Sequence, residues 1–442
     1  MSLPKISQKS HGLTGHGSKA TINNNLTKPI YMHSLFLALI ALFVCMNSWG
    51  QSRFPACTGT NATLWNMCFG SVEMQNGDKY SGEFMNGKFE GRGTYTGADG
   101  SKYIGQLKNN NADGQGTFTT SDGGRYVGQW SNDKFEGQGT YQYASGNVYI
   151  GQWKNNKAEG QGTYKYANGN IYIGQFKNDK AEGRGTFTSV NGGSYVGDWS
   201  DDKPEGQGTY KYADGSIYTG QWKNNKAEGQ GTYKYANGNI YIGEWKNDKK
   251  NGKGTFTSPQ GDRFTGDFLN DVVHGYGTFK FADGNQYSGE FKEDKFSGQG
   301  TYLYANGNKY IGQWRDGYQY GKGTLIFPDN IKIVGLWTNG LLNNQAITTF
   351  PNGERYVATY KDGKEVGVGN RYSTNGNLIT QNTPIVESEN IEDKSQWSVG
   401  DIFRRLGAAG KAMNETMQRV DPQPTVCQLR QTSFGNWQMV CP

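Results

Sequence analysis

His274 is the only histidine beyond residue 50 of this 442-residue chain, and that removes most catalytic chemistries at once. Triads, Cys–His pairs and histidine-rich metal sites all need imidazole. The remaining carboxylates Glu136, Glu159, Glu182, Glu205 and Glu228 recur at one position every 23 residues. An acid and a base must sit in different environments to divide their roles, and a ladder of equivalents does not supply that difference. Gly252-Lys253-Gly254-Thr255 and Gly321-Lys322-Gly323-Thr324 imitate fragments of a phosphate loop, but lack the GxxxxGK[ST] spacing and open no helix. Cys57, Cys68, Cys427 and Cys441 are even in number, lie close in pairs at the two ends and have no CxxC spacing. That pattern suits two small disulfide loops, Cys57–Cys68 and Cys427–Cys441, in an oxidising compartment. The expectation is a protein without catalysis, metal, cofactor or small-molecule substrate.

What positions these residues is a 23-residue unit that recurs without insertion or deletion. It starts at Tyr80 and restarts at Tyr103, Tyr126, Tyr149, Tyr172, Tyr195, Tyr218, Tyr241, Phe264, Tyr287, Tyr310, Ile333 and Tyr356, covering residues 80–378. A fixed period of this length signals a quasi-one-dimensional array. In the copy at Tyr149, the segment Tyr149-Ile150-Gly151-Gln152-Trp153 alternates with period two, so ring, glycine and ring share one face of a strand. Lys154 to Glu159 reads as a connecting loop. Gly160-Gln161-Gly162-Thr163-Tyr164 then reads as a second strand with Gly160, Gly162 and Tyr164 on the ring face. Asn168-Gly169 gives a type I′ hairpin signal back to the next unit. The fold class is therefore all-β: an elongated, single-layer antiparallel solenoid of β-hairpins. At about 4.8 Å per strand, thirteen two-stranded units would span roughly 125 Å. Glycine in a strand costs roughly 0.5–1 kcal/mol against alanine, and rings lying flat over bare backbone offset it. A second period of 69 residues shows in GTFTTSDGG, GTFTSVNGG and GTFTSPQGD. An array amplified in triplets favours a repeating surface over a unique site.

The pattern Y-x-G-x-W-x-x-x-K-x-x-G-x-G-T-Y resembles the MORN (membrane occupation and recognition nexus) repeat in all thirteen units. It weakens at Ile333, where Asn344 and Ala346 replace the paired glycines, and at Tyr356, where Ala358 and Arg371 depart from it. The resemblance implies a dimerising scaffold or a binder of acidic phospholipid head groups. The lipid contacts would fall on loop lysines such as Lys154, Lys157, Lys223 and Lys226. Those lysines alternate with acidic residues, and charge elsewhere argues the same way. Residues 1–50 hold Lys5, Lys9, Lys19 and Lys28 and no acid, so the rest carries 45 − 4 = 41 basic against 39 acidic residues. A body so close to neutral excludes a general nucleic-acid binder.

The ends are separate. In residues 1–50, the apolar run Leu35–Met46 has the length of an export signal core and is too short to span a bilayer. Ser48-Trp49-Gly50 offers a cleavage site before Gln51, with initiation at Met1 or Met32; the alternative is an uncleaved anchor. Residues 51–79 read as a half-repeat cap closed by Cys57–Cys68, and 379–397 as an acidic linker. Residues 398–421 read as an amphipathic helix with Ile402, Leu406, Ala409, Met413, Met417 and Val420 on one face, and 422–442 as a Cys-looped tail. The combined expectation is an exported bacterial scaffold, periplasmic or at the cell surface, that binds a protein partner or itself. A membrane-binding module and a glycan-binding surface are the alternatives.

Overall fold

The computed structural model describes residues 54–382, 428–431 and 437–440. The leader, the helix expected over 398–421, and Cys427 and Cys441 lie outside the described residues. The chain divides into two units, one ending at Gly185 and the other beginning at Thr186, and both are built the same way. In each, the strands form an open antiparallel sheet in which every strand pairs with its neighbours along the chain. Twenty-eight strands follow this plan, from Cys68–Glu73 to Leu378–Asn382. Gln428–Gln431 and Trp437–Val440 make a separate two-stranded sheet. Among the described residues the only helical element is a short 3-10 turn, Ala62–Leu64.

The unit at Tyr149 shows how the sequence makes this sheet. Strand Val148–Lys154 pairs with Lys157–Lys165, so the segment Lys154–Glu159 is not a loop. The whole connection is Asn155-Asn156, with φ of 50° and 67°. Two consecutive left-handed residues are what a type I′ hairpin requires, and asparagine and aspartate tolerate that region. The other connection corrects the second turn. Gly169 alone takes a positive φ, of 90°, and its N–H donates to Tyr166 O at 2.9 Å. This is a type I turn on Ala167-Asn168 closed by glycine. The Asn168 side chain accepts from Asn170 N at 3.0 Å, which holds Asn168 out of the left-handed region.

A third feature was hidden by the period. Gly151 faces Gly162 and Trp153 faces Ala158, so residues 159–161 stand opposite Gln152 alone. The result is a bulge, with Gly160 at φ 66°. Gly160 therefore does not lie under the rings: a Cβ there would run into the Gln152 side chain. Gln152 Oε1 fills the gap and accepts from Gln161 N at 3.3 Å. Gln106, Gln129, Asp198 and Glu244 do the same for the amides of Gln115, Gln138, Gln207 and Lys253.

The core is one face of the sheet, covered by its own rings. Tyr149 and Trp153 are buried, and a Cβ added to Gly151 or Gly162 would come within 2.6 Å of Tyr149 Oη. The Tyr149 hydroxyl donates to Gln152 O at 2.9 Å. Tyr126, Tyr149, Tyr195, Tyr218, Tyr241 and Tyr310 each meet two tryptophan or phenylalanine rings edge to face, one in their own unit and one in the next. Tyr149 has ring centroids 5.0 Å from Trp153 and 4.9 Å from Phe176 of the next unit. Edge-to-face contacts of this kind add about 0.5–1.5 kcal/mol beyond area burial. Between units, a turn residue reaches back: Asn156 Oδ1 accepts from Phe135 N at 2.7 Å, and Asp179 Oδ1 from Ala158 N at 2.7 Å.

At the amino end, Cys57 and Cys68 are joined by a disulfide. Phe69 N donates to Pro55 O at 2.8 Å and Cys57 N to Phe69 O at 2.9 Å, so residues 55–57 line the outer side of Cys68–Glu73. Trp65 closes the ring column against Phe84, with centroids 4.8 Å apart. At the other end the strand Leu378–Asn382 carries the sheet four residues past 378, into the segment read as a linker.

Candidate functional site: the exposed face of the repeat sheet

The face opposite the rings carries the alternate residues of each strand, such as Ile150, Gln152, Gln161 and Thr163. Register sets them in rows. Thr140 faces Ile150, Ile150 faces Thr163, and Thr163 faces Ile173. Beside this row, Gln138 faces Gln152 and Gln161 faces Gln175. The unit from Thr186 onward repeats the arrangement, with Thr232 facing Ile242 and Gln230 facing Glu244. Ile173, Val196 and Ile242 are 54%, 53% and 55% exposed. The surface is thus a stripe of methyl and hydroxyl groups edged by amides. β-branched residues suit strands, and here their methyl groups are left in water row after row.

The recurrent carboxylates are engaged structurally. Glu136 Oε2 accepts from Asn155 N at 3.1 Å, Glu159 from Asn178 N at 3.1 Å, and Glu205 from Asn224 N at 2.8 Å. Each caps the two-residue turn of the following unit. His274 occupies the corresponding place in its own unit and is half-buried. Lys253 and Lys322 lie within strands Lys249–Thr257 and Tyr318–Ile326, where no helix N-terminus is available to hold a phosphate. Among the described residues no cluster of histidine, cysteine, aspartate and glutamate could hold a metal.

The lysines fall at one hairpin edge. Lys154 faces Lys157 and Lys223 faces Lys226 across the two-residue turns. Like charges directly opposite are mildly destabilising. Here the glutamate of the preceding unit, bonded to the turn amide, brings a compensating charge beside each pair. At the same edge desolvation raises the Asp179 carboxyl, and the Ala158 amide it accepts from works against that rise.

The MORN repeat profile matches residues 80–102 and then every successive unit to 356–378, thirteen matches in all. The chain is a MORN-repeat protein. No curated protein sequence matches it. Among solved structures it is similar to the TCP10 domain of Danio rerio CPAP in complex with a STIL peptide. That likeness has 11% identity, a TM-score of 0.18, and covers 63% of this chain and 98% of the other. The SAS-4 TCP domain of Drosophila melanogaster, bound to a proline-rich motif of Ana2, has 16% identity and a TM-score of 0.18, covering 46% and 86%. Virginiamycin B lyase from Staphylococcus aureus has 13% identity and a TM-score of 0.12, covering 66% and 96%. Scores this low carry nothing further. MORN repeats point to a repeat scaffold for protein or membrane interaction.

Proposed function

We propose that this MORN-repeat protein is an exported, non-enzymatic scaffold whose exposed sheet face engages a protein partner, a second copy of the chain included. The supporting observation is the stripe of Ile, Val and Thr side chains, repeated in register and left open to solvent by the fold. A repeated apolar stripe edged by amides fits another protein surface: the methyl groups gain by burial and the amides find hydrogen bonds. Photo-crosslinking in the native host tests the reading. A photoreactive residue at Ile173, Val196 or Ile242 is expected to give discrete protein adducts, and one at the edge residue Lys154 none. Adducts only from the edge, or none from the face, would reject it.

The membrane reading draws on the lysine pairs at the hairpin edge and the apolar run in residues 35–46. Polybasic attraction to an anionic surface brings about 1 kcal/mol per uncompensated lysine. With a glutamate at the turns of Lys154/Lys157 and Lys223/Lys226 and a Debye length of about 8 Å at physiological salt, little of that attraction survives there. Residues 51–442 are therefore expected to stay in the supernatant when anionic vesicles are sedimented at physiological ionic strength. Strong binding lost on changing Lys154, Lys157, Lys223 and Lys226 to Ala would move the assignment to the membrane.

A further inference from the structure

In an array of copies, the place where the copies stop matching is where something particular is selected. On the exposed face that place is the unit starting at Phe264 and its neighbours. The central row alternates Thr with Ile or Val through most units; the aliphatic residue is replaced at Ser81, Thr219, Thr265 and Ser288, and only the last two fall in consecutive units. Five strands in succession then present hydroxyls, Thr255, Thr265, Thr278, Ser288 and Thr301, each facing the next. Thr255 and Thr265 lie 3.2 Å apart, and Thr278 and Ser288 3.0 Å.

The neighbouring row changes in the same place. Where other units carry Gln115, Gln138, Gln161, Gln207, Gln230 or Gln299, this one carries Tyr276. Its ring is 62% exposed, and it is the one tyrosine or tryptophan among the exposed large side chains of the described residues. Tyr276 faces Glu290, and that carboxylate's charge raises its phenol. Beside it Lys253 forms an ion pair with Asp267 at 2.5 Å. Tyr276, Lys253, Thr255, Thr265, Thr278 and Ser288 line an open groove of about 690 Å³, together with Ile242, Glu244 and strand glycines.

We propose that this groove binds a neutral oligosaccharide of pyranose units. The electron-rich face of an exposed aromatic ring suits the C–H face of a sugar. Hydroxyl, amide and carboxylate groups set out along a sheet supply donors and acceptors for ring hydroxyls. Charge removes the main competitors. Glu244, Asp267 and Glu290 outnumber Lys253, which is already paired, so phosphates, nucleic acids and anionic lipid surfaces meet a repulsive site. The hydroxyl row likewise leaves an apolar helix little besides Ile242 and the Tyr276 ring to bury against. The site stands independently of the protein-partner reading, which rests on the aliphatic rows elsewhere on the face.

Titration calorimetry and saturation-transfer NMR of the full chain with cellohexaose, xylohexaose and mannohexaose test the proposal, with oligogalacturonate as an anionic control. At least one neutral hexasaccharide should bind with saturation transfer to its ring C–H protons, and the anionic control should not. Tyr276→Gln installs the residue that other copies carry, Gln230 and Gln299 among them, so the fold has a natural precedent for it. That variant should weaken binding about tenfold, in line with loss of one aromatic contact. Thr265→Ile with Ser288→Ile should weaken it as well, and Gln138→Ala should not. Failure of all three neutral sugars to bind, preference for the anionic one, or undiminished affinity of Tyr276→Gln would each overturn the proposal. Tyr276-dependent capture of a peptide without saccharide binding would overturn it too.

Discussion

The sheet is expected to collapse cooperatively between about pH 10 and 12, with its buried phenols ionising only as it opens. Tyr80, Tyr103, Tyr126, Tyr149, Tyr218, Tyr241, Tyr287 and Tyr310 fill one column and are almost fully buried. Burial is the leading cause that raises each of them well above the ordinary tyrosine range. Tyr233, on the partner strand of its unit, is pushed up to about 12 by the same cause. A folded pKa above the unfolded value favours the folded state fully below the unfolded value of about 10 and progressively less as pH climbs toward the folded value. Each buried phenol then withdraws about 1.4 kcal/mol per pH unit. Because eleven of the thirteen units hold at least one such phenol, all but those starting at Phe264 and Ile333, the loss recurs along the chain. Phenolate absorbance near 295 nm followed together with far-ultraviolet circular dichroism from pH 9 to 12.5 checks this. The two signals should move together in a steep step. Smooth ionisation of the tyrosines centred near pH 10, with the sheet signal intact, would show that the ring column is wet.

Much of the fold was legible because strand alternation and a fixed period are both carried by side-chain type. Tyr149, Gly151 and Trp153 could be assigned to one face from spacing alone, and the register places them there. What resisted was backbone conformation. Asn155-Asn156 looks like a polar loop in sequence, yet the turn needs only those two residues because both accept positive φ. Gly160 and Gly162 are two apart and so seemed to share a face. The bulge separates them, and its signal was the polar residue before each Trp, whose side chain fills the gap. The role of the recurring glutamates was similarly out of reach. Their partner is a turn amide 19 residues on, Asn155 N for Glu136, and only the register reveals it. Tyr276 was readable as a departure from a glutamine column, but its exposure was not, since most aromatic residues here face the core.

The glycine columns give the sharpest test of why the repeat has its composition, because one added methyl should cost more than its size suggests. In the unit at Tyr149, a Cβ on Gly162 would lie 2.6 Å from Tyr149 Cε2 and Oη. The ring cannot swing away freely, since Trp153 and Phe176 meet it edge to face and its hydroxyl donates to Gln152 O. Gly162→Ala is therefore expected to destabilise the unit by about 1–3 kcal/mol, the usual range for overpacking. Tyr149→Ala should cost about 3–5 kcal/mol, as for other large buried rings. The hydroxyl is the smaller part of the tyrosine's contribution. Phe264 stands in the same column without one and is equally buried, so Tyr149→Phe should cost only about 1 kcal/mol. If Gly162 is glycine because of the ring, the double variant Tyr149→Ala with Gly162→Ala should be more stable than the sum of the singles by about 1–2 kcal/mol. Hydrogen exchange of amides in residues 149–171 reads this locally, where a global melt of thirteen units would dilute it. Costs that simply add would mean the glycine is required by the backbone and not by the ring above it.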